Sequence, residues 1–139
     1  MIKTIDMQTL RYLNLFNKVT HIQTRFCFRY NDAIFFCVPK TLVNKAIGKD
    51  SENLKKIGSI LKKRVKVLPM PKDDKDIKKF LELLTNPIKF KELEISDNDL
   101  IITAGGKQTK AILLGRNKQR FLEMQTIVKD FFNKEYKIV

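Results

Sequence analysis

Apolar positions along this chain follow two periodicities, and the same succession of them occurs twice. Over residues 4–19, Leu10, Leu13, Phe16 and Val19 recur at three-residue spacing, the stripe of an amphipathic helix. RFCFRY (25–30) and AIFFCV (33–38) are aromatic and β-branched, which predicts strands. Asn31-Asp32 between them suits a two-residue hairpin, because both residue types tolerate positive φ. Pro39 cannot donate to a ladder and ends the second strand. A short helix over 42–47 and a longer one over 52–63 follow, the latter with Leu54, Ile57, Gly58 and Leu61 on its buried stripe. Gly58 there is expected to let the helix sit close to the sheet. RVKVLP (64–69) alternates and reads as a strand.

Sliding the sequence by 67 brings a second copy into step. Asn31-Asp32 with AIFFCVPK falls on Asn98-Asp99 with LIITAGGK, and Gly48 falls on Gly115. The second copy predicts a helix over 75–84, strands over 88–95 and 100–104, helices over 109–114 and 118–132, and a strand over 135–139. Its long helix runs one turn further than its counterpart. Pro69, Pro71 and PKDDKD punctuate the junction, giving domains at 1–71 and 72–139. The expected fold is α+β, with two modules of order α-β-β-α-α-β packed as one rigid unit. Each has a three-stranded sheet covered by helices on one face.

The composition suits this picture and adds a partner. Of 139 residues 43% are hydrophobic, enough for a core. Lys and Arg number 28 against 15 Asp and Glu, a formal charge of +13. That excess opposes self-association, so a monomer is expected, and it attracts polyanions, nucleic acid before an anionic membrane. A solvated lysine-rich surface is the plainer alternative. Residues 1–70 hold 14 basic and 4 acidic side chains, and residues 71–139 hold 14 and 11, so an anionic partner should lean on the first half. No run approaches a membrane span, and the start of the chain lacks the features of a signal peptide. Cys27 and Cys37 lie in apolar runs and read as buried thiols of a reducing cytoplasm.

Candidate chemistry concentrates where two helices meet, at AIGKDSENLKKI (46–57). Gly48 stands where a left-handed residue ends a helix, and Asp50 or Ser51 stands where the next helix needs an N-cap. The second copy has the same join at AILLGRNKQRF (111–121). Glycine allows close approach of a backbone, free amides at a helix start favour an anion, and Lys49, Arg116 and Lys118 add charge. Lys45, Lys55 and Lys56 stand nearest the first join, while Lys62 and Lys63 read as ordinary surface.

Enzymatic readings find no support. IGKDS lacks the upstream glycine of a P-loop, and Asp50 separates Lys49 from Ser51. Asp97 and Asp99 occupy a turn, where Asp bonds its own backbone. His21, the one histidine, reads as a cap or surface residue, and neither a metal nor another cofactor is expected.

The paired helices, the Ile-Gly-Lys join and the element order resemble the KH family in its type II arrangement. Two such modules filling so short a chain are similar to the archaeal NusA-related transcription factors. The resemblance implies single-stranded RNA held at a GXXG loop between two helices. Carried over, it places Gly48, Lys49, Asp50 and Ser51, then Gly115, Arg116, Asn117 and Lys118, against phosphates. An apolar groove including Val43 and Ile47 would receive bases. The family's loop closes with a second glycine, where this chain has Ser51 and Lys118; small Ser51 makes the first loop the better match. A role in transcription elongation or termination follows from the resemblance alone. RNA polymerase or ribosomal components are the protein partners to consider. Ribosome assembly, RNA processing, or a polymerase-bound module whose loops no longer bind RNA are the alternatives.

Overall fold

The computed structural model describes residues 6–139. The described residues divide into two compact units, 6–70 and 71–139. In the first, α1 (Met7–Thr20) leads into β1 (Phe26–Tyr30) and β2 (Ala33–Val38). The helices α2 (Val43–Ile47) and α3 (Glu52–Leu61) precede β3 (Arg64–Pro69). The second contains α4 (Asp74–Thr85), β4 (Glu92–Ile95), β5 (Asp99–Thr103), α5 (Lys107–Leu114), α6 (Gln119–Phe132) and β6 (Glu135–Ile138). The order is α-β-β-α-α-β in each unit. Both sheets are mixed: their first two strands pair antiparallel and the last joins the middle strand in parallel.

Local chemistry explains the ends of the elements. Asp6 caps α1, its carboxylate accepting from the Thr9 amide at 2.7 Å, and Asp73 caps α4 in the same way through Asp76. The sequence-predicted start of α1 at residue 4 lies outside the described residues. His21 ends α1 in a left-handed conformation, φ 60°, and donates its amide to Asn17. Asn31 and Asp32 both have positive φ, the hairpin geometry their side chains tolerate. The strand expected over 88–95 begins only at Glu92, because the Ile88 amide instead bonds Thr85 in the turn that closes α4.

In the first unit Ile34, Phe36 and Val38 of β2 meet Leu13 and Phe16 of α1, Ala46 of α2 and Ile57 of α3. The Phe16 and Phe36 rings stack at 4.4 Å. Leu10, expected on the buried stripe, is 45% exposed and lines a hollow of about 580 Å³ with Phe26, Pro39 and Met70. The opposite face of this sheet is buried too, at Phe28, Phe35, Cys37 and Leu68. An uninterrupted apolar run such as AIFFCV is what burial on both faces requires. The helices of this unit, α1, α2 and α3, all pack on the Phe36 face, the single helix-covered face that was expected. Cys27 and Cys37 are buried on opposite faces of the sheet, since Cys27 belongs to the helix-side core with Phe36 while Cys37 follows Phe36 in the pleat.

The second sheet follows the expected plan. Leu100, Ile102 and Tyr136 are buried on one face, with Phe121 of α6 against Tyr136 at 5.6 Å. Its other face carries Glu92, Glu94, Glu135 and the ion pair of Lys137 with Asp99 at 3.3 Å. That exposed pair contributes less than about 1 kcal/mol. Phe80 of α4 meets Phe131 and Phe132 at the end of α6, which explains the extra helical turn there.

Gly58 does lie against the sheet, where an added Cβ would stand 3.9 Å from Cγ2 of Val65 in β3, but its tightest neighbour is the chain leaving the helix. A Cβ there would lie 3.0 Å from the Lys63 carbonyl oxygen, and the Gly58 carbonyl accepts from the Lys62 and Lys63 amides. It makes room for the chain to fold back after α3, with Lys62 left-handed at φ 56°.

Candidate nucleic-acid interface

The joins between α2 and α3 and between α5 and α6 are two copies of one bend. Gly48 has φ 80° and ψ 170°, and Gly115 has φ 77° and ψ 175°. This is positive φ with extended ψ, a conformation essentially confined to glycine, rather than the left-handed helical one expected. The left-handed positions fall to the residues that follow. Asp50 (φ 55°) and Ser51 (φ 60°) match Asn117 (φ 55°) and Lys118 (φ 59°). In both bends the glycine amide donates four residues back, to Asn44 or Ala111, at 3.0 Å. The amide of the fourth bend residue returns to the glycine carbonyl, at 3.2 Å for Ser51 and 3.1 Å for Lys118.

Ser51 does occupy the N-cap position of α3, but without a side-chain capping bond. A capping serine needs extended backbone, which the left-handed turn denies it. Lys118 stands in the same place before α6, likewise without a cap bond. Both helices therefore start without a capping side chain, and their first amides, those of Glu52 and Gln119, donate instead to the carbonyls of Lys49 and Arg116 in the preceding turn.

Two left-handed residues in series are strained for side chains with a Cβ, at roughly 1 kcal/mol each. Ser51→Gly and Lys118→Gly are each expected to stabilise the protein by about 0.5–1 kcal/mol. A rise in the urea midpoint with an unchanged m-value would show it; a fall would contradict the strain.

Lys49, Asp50, Arg116, Asn117 and Lys118 are exposed, and Gly48, Ser51 and Gly115 half-buried, so both bends reach the surface. Lys45 on α2 and Lys55 and Lys56 on α3 are exposed as well. Val43 and Ile47 are half-buried and pack against the core of the first unit. A shallow depression of about 460 Å³ at the first bend is lined by Lys49, Asp50, Glu52 and Lys55. The charges thus differ between copies. The first bend mixes cations with two carboxylates, whereas residues 115–120 carry Arg116, Lys118 and Arg120 and no acid.

Two residues at the bends escaped the sequence reading. The Asn53 side chain donates from Nδ2 to the Lys45 carbonyl at 3.2 Å. Arg120, at the equivalent position, donates from Nη1 to the Ile112 carbonyl at 3.3 Å. Both acceptors are backbone atoms, so the offset of 67 between two donor-bearing side chains was the one signal available.

No family model matches this chain, and no curated protein does. Among solved structures it is similar to the crystal structure of APE1850, at 18% sequence identity and a TM-score of 0.64. The likeness covers 96% of this chain and 99% of that one. At such identity it is a likeness of fold. Among the described residues no helix is long and apolar enough to cross a membrane.

Proposed function

We propose that this protein binds single-stranded RNA through two type II KH modules, in the manner of the archaeal NusA-related elongation and termination factors. The observation that carries the reading is the bend itself, built twice with the same torsions, exposed and flanked by cations. Phosphates would meet the residues after each glycine, Lys49–Ser51 and Arg116–Lys118, with Lys45, Lys55 and Lys56 adding charge to the first. Val43 and Ile47 would contact bases, whose edges would supply any sequence preference. Ser51 and Lys118 hold left-handed backbone where the family has glycine, which supports a working loop over a degenerate one. With no carboxylate among residues 115–120, the second bend makes the stronger phosphate contact.

Selection of bound oligonucleotides, then titration at two ionic strengths, tests this. With about three phosphates neutralised, the slope of log K against log salt is about −2, so affinity falls roughly 20-fold from 50 to 200 mM salt. Arg116→Glu is expected to weaken binding more than Lys49→Glu, each by about tenfold or more. No selected RNA, or affinity indifferent to salt, would end the reading. A role in ribosome assembly or RNA processing uses the same chemistry, and pull-downs with and without nuclease separate it from transcription.

A further inference from the structure

We infer that Asn53 and Arg120 are positioning residues, side-chain clamps that set the angle of each bend and so aim its amides and cations at RNA. The inference rests on the RNA-binding reading for its purpose, but its geometry stands independently. In each copy the donor lies five residues after the bend glycine and the acceptor three residues before it. The glycine amide already takes the carbonyl four residues back, so the clamp occupies the next one along. That carbonyl belongs to the last turn of its helix, where acceptors lack an intrahelical donor.

The clamp also changes the meaning of the glycine. A Cβ on Gly48 would lie 3.0 Å from Cγ and Nδ2 of Asn53. On Gly115 it would lie 2.8 Å from Cγ of Arg120 and 2.9 Å from its Cβ and backbone nitrogen. The open side of each glycine is filled from within by the following helix, and no phosphate passes there. RNA meets instead the exposed residues after it, Lys49 and Asp50 or Arg116, Asn117 and Lys118. Those residues hold a strained left-handed turn, and the clamp ties the two helices on either side of it. In the Asn53 copy, removing the clamp releases the turn without removing a cation. Arg120 is the informative copy, because it could serve as clamp or as phosphate ligand. Asn53 shows that a neutral side chain fulfils the clamp's part in the same backbone geometry.

The experiment uses the full chain with Asn53→Leu, Arg120→Met and Arg120→Asn. Without RNA, amide hydrogen exchange at the bend, Gly48 and Ser51 or Gly115 and Lys118, should quicken about tenfold in Asn53→Leu and Arg120→Met. Strand amides should be unaffected, and Arg120→Asn should restore the slow rate. Unchanged exchange at the bends would overturn the clamp whatever the protein binds. With the selected RNA, Asn53→Leu and Arg120→Met should bind about tenfold more weakly, while Arg120→Asn binds nearly as wild type with the same salt slope. If Arg120→Asn is as weak as Arg120→Met and its salt slope is smaller by about 0.7, Arg120 holds a phosphate itself and the positioning role is overturned. Failure of the wild-type protein to bind RNA would overturn the RNA reading, and the exchange rates would still decide the clamp.

Discussion

Gly115→Ala should remove about 3–5 kcal/mol of stability, among the largest losses available to any single substitution in this chain. Two effects add. The backbone at φ 77°, ψ 175° is strained for any residue with a Cβ, and the new methyl would meet Cβ, Cγ and the backbone nitrogen of Arg120 inside 3.0 Å. The nitrogen belongs to α6, so relief requires moving a helix. Gly48→Ala meets mainly the side chain of Asn53, with the nearest backbone atom at 3.2 Å, and should lose a smaller 2–3 kcal/mol. The contrast extends to double variants. Asn53→Ala should recover part of the Gly48→Ala loss, whereas Arg120→Ala should recover almost nothing from Gly115→Ala, since the Cβ and nitrogen remain. Denaturant unfolding followed by circular dichroism reads all four. Equal rescue at both bends would show that the close contacts do not set the cost. Either glycine variant therefore perturbs folding before it perturbs binding, and substitutions at Lys49 and Arg116 are the cleaner test of RNA contact.

Phe36→Ala is expected to lose about 4 kcal/mol. Its ring is fully buried, stacked on Phe16 at 4.4 Å and 15°, in the middle strand of the first sheet. Removing it leaves a cavity between α1 and the sheet that neighbouring aliphatic side chains fill only in part. The double-mutant cycle with Phe16→Ala should give a coupling of about 0.5–1.5 kcal/mol for the ring pair. Ile101→Ala, on the half-exposed outer face of the second sheet, should cost under about 1 kcal/mol. A loss at Ile101 equal to that at Phe36 would mean that the polar face of the second sheet is not open to water.

The element order was legible because each element announces itself locally. Stripes at three and four residues, the Asn31-Asp32 pair and the prolines act over a few residues, and the structure reproduces them within a turn. Leu10 shows the limit of such a stripe, since helical phase does not reveal where the neighbouring strand ends. At the bends the glycines and cations were legible. The torsions were not: a glycine before a helix is compatible with several conformations, and the expected left-handed residue proved to be Asp50 and Ser51 in series. Capping by Ser51 failed for the same reason, because a cap depends on backbone angles that residue type alone does not specify.

What the amino-acid order determined by itself is the duplicated succession of helices and strands, the apolar face of each, and the concentration of positive charge in residues 1–70. These depend on side-chain type and short-range spacing. The tertiary structure alone decided that Leu10 stands off the buried stripe, that Cys27 and Cys37 point apart, and that Asn53 and Arg120 reach back across their glycines. Each of these is a relation between groups remote along the chain, or between a side chain and a backbone carbonyl. Every residue carries such a carbonyl, so only folding selects which one is met.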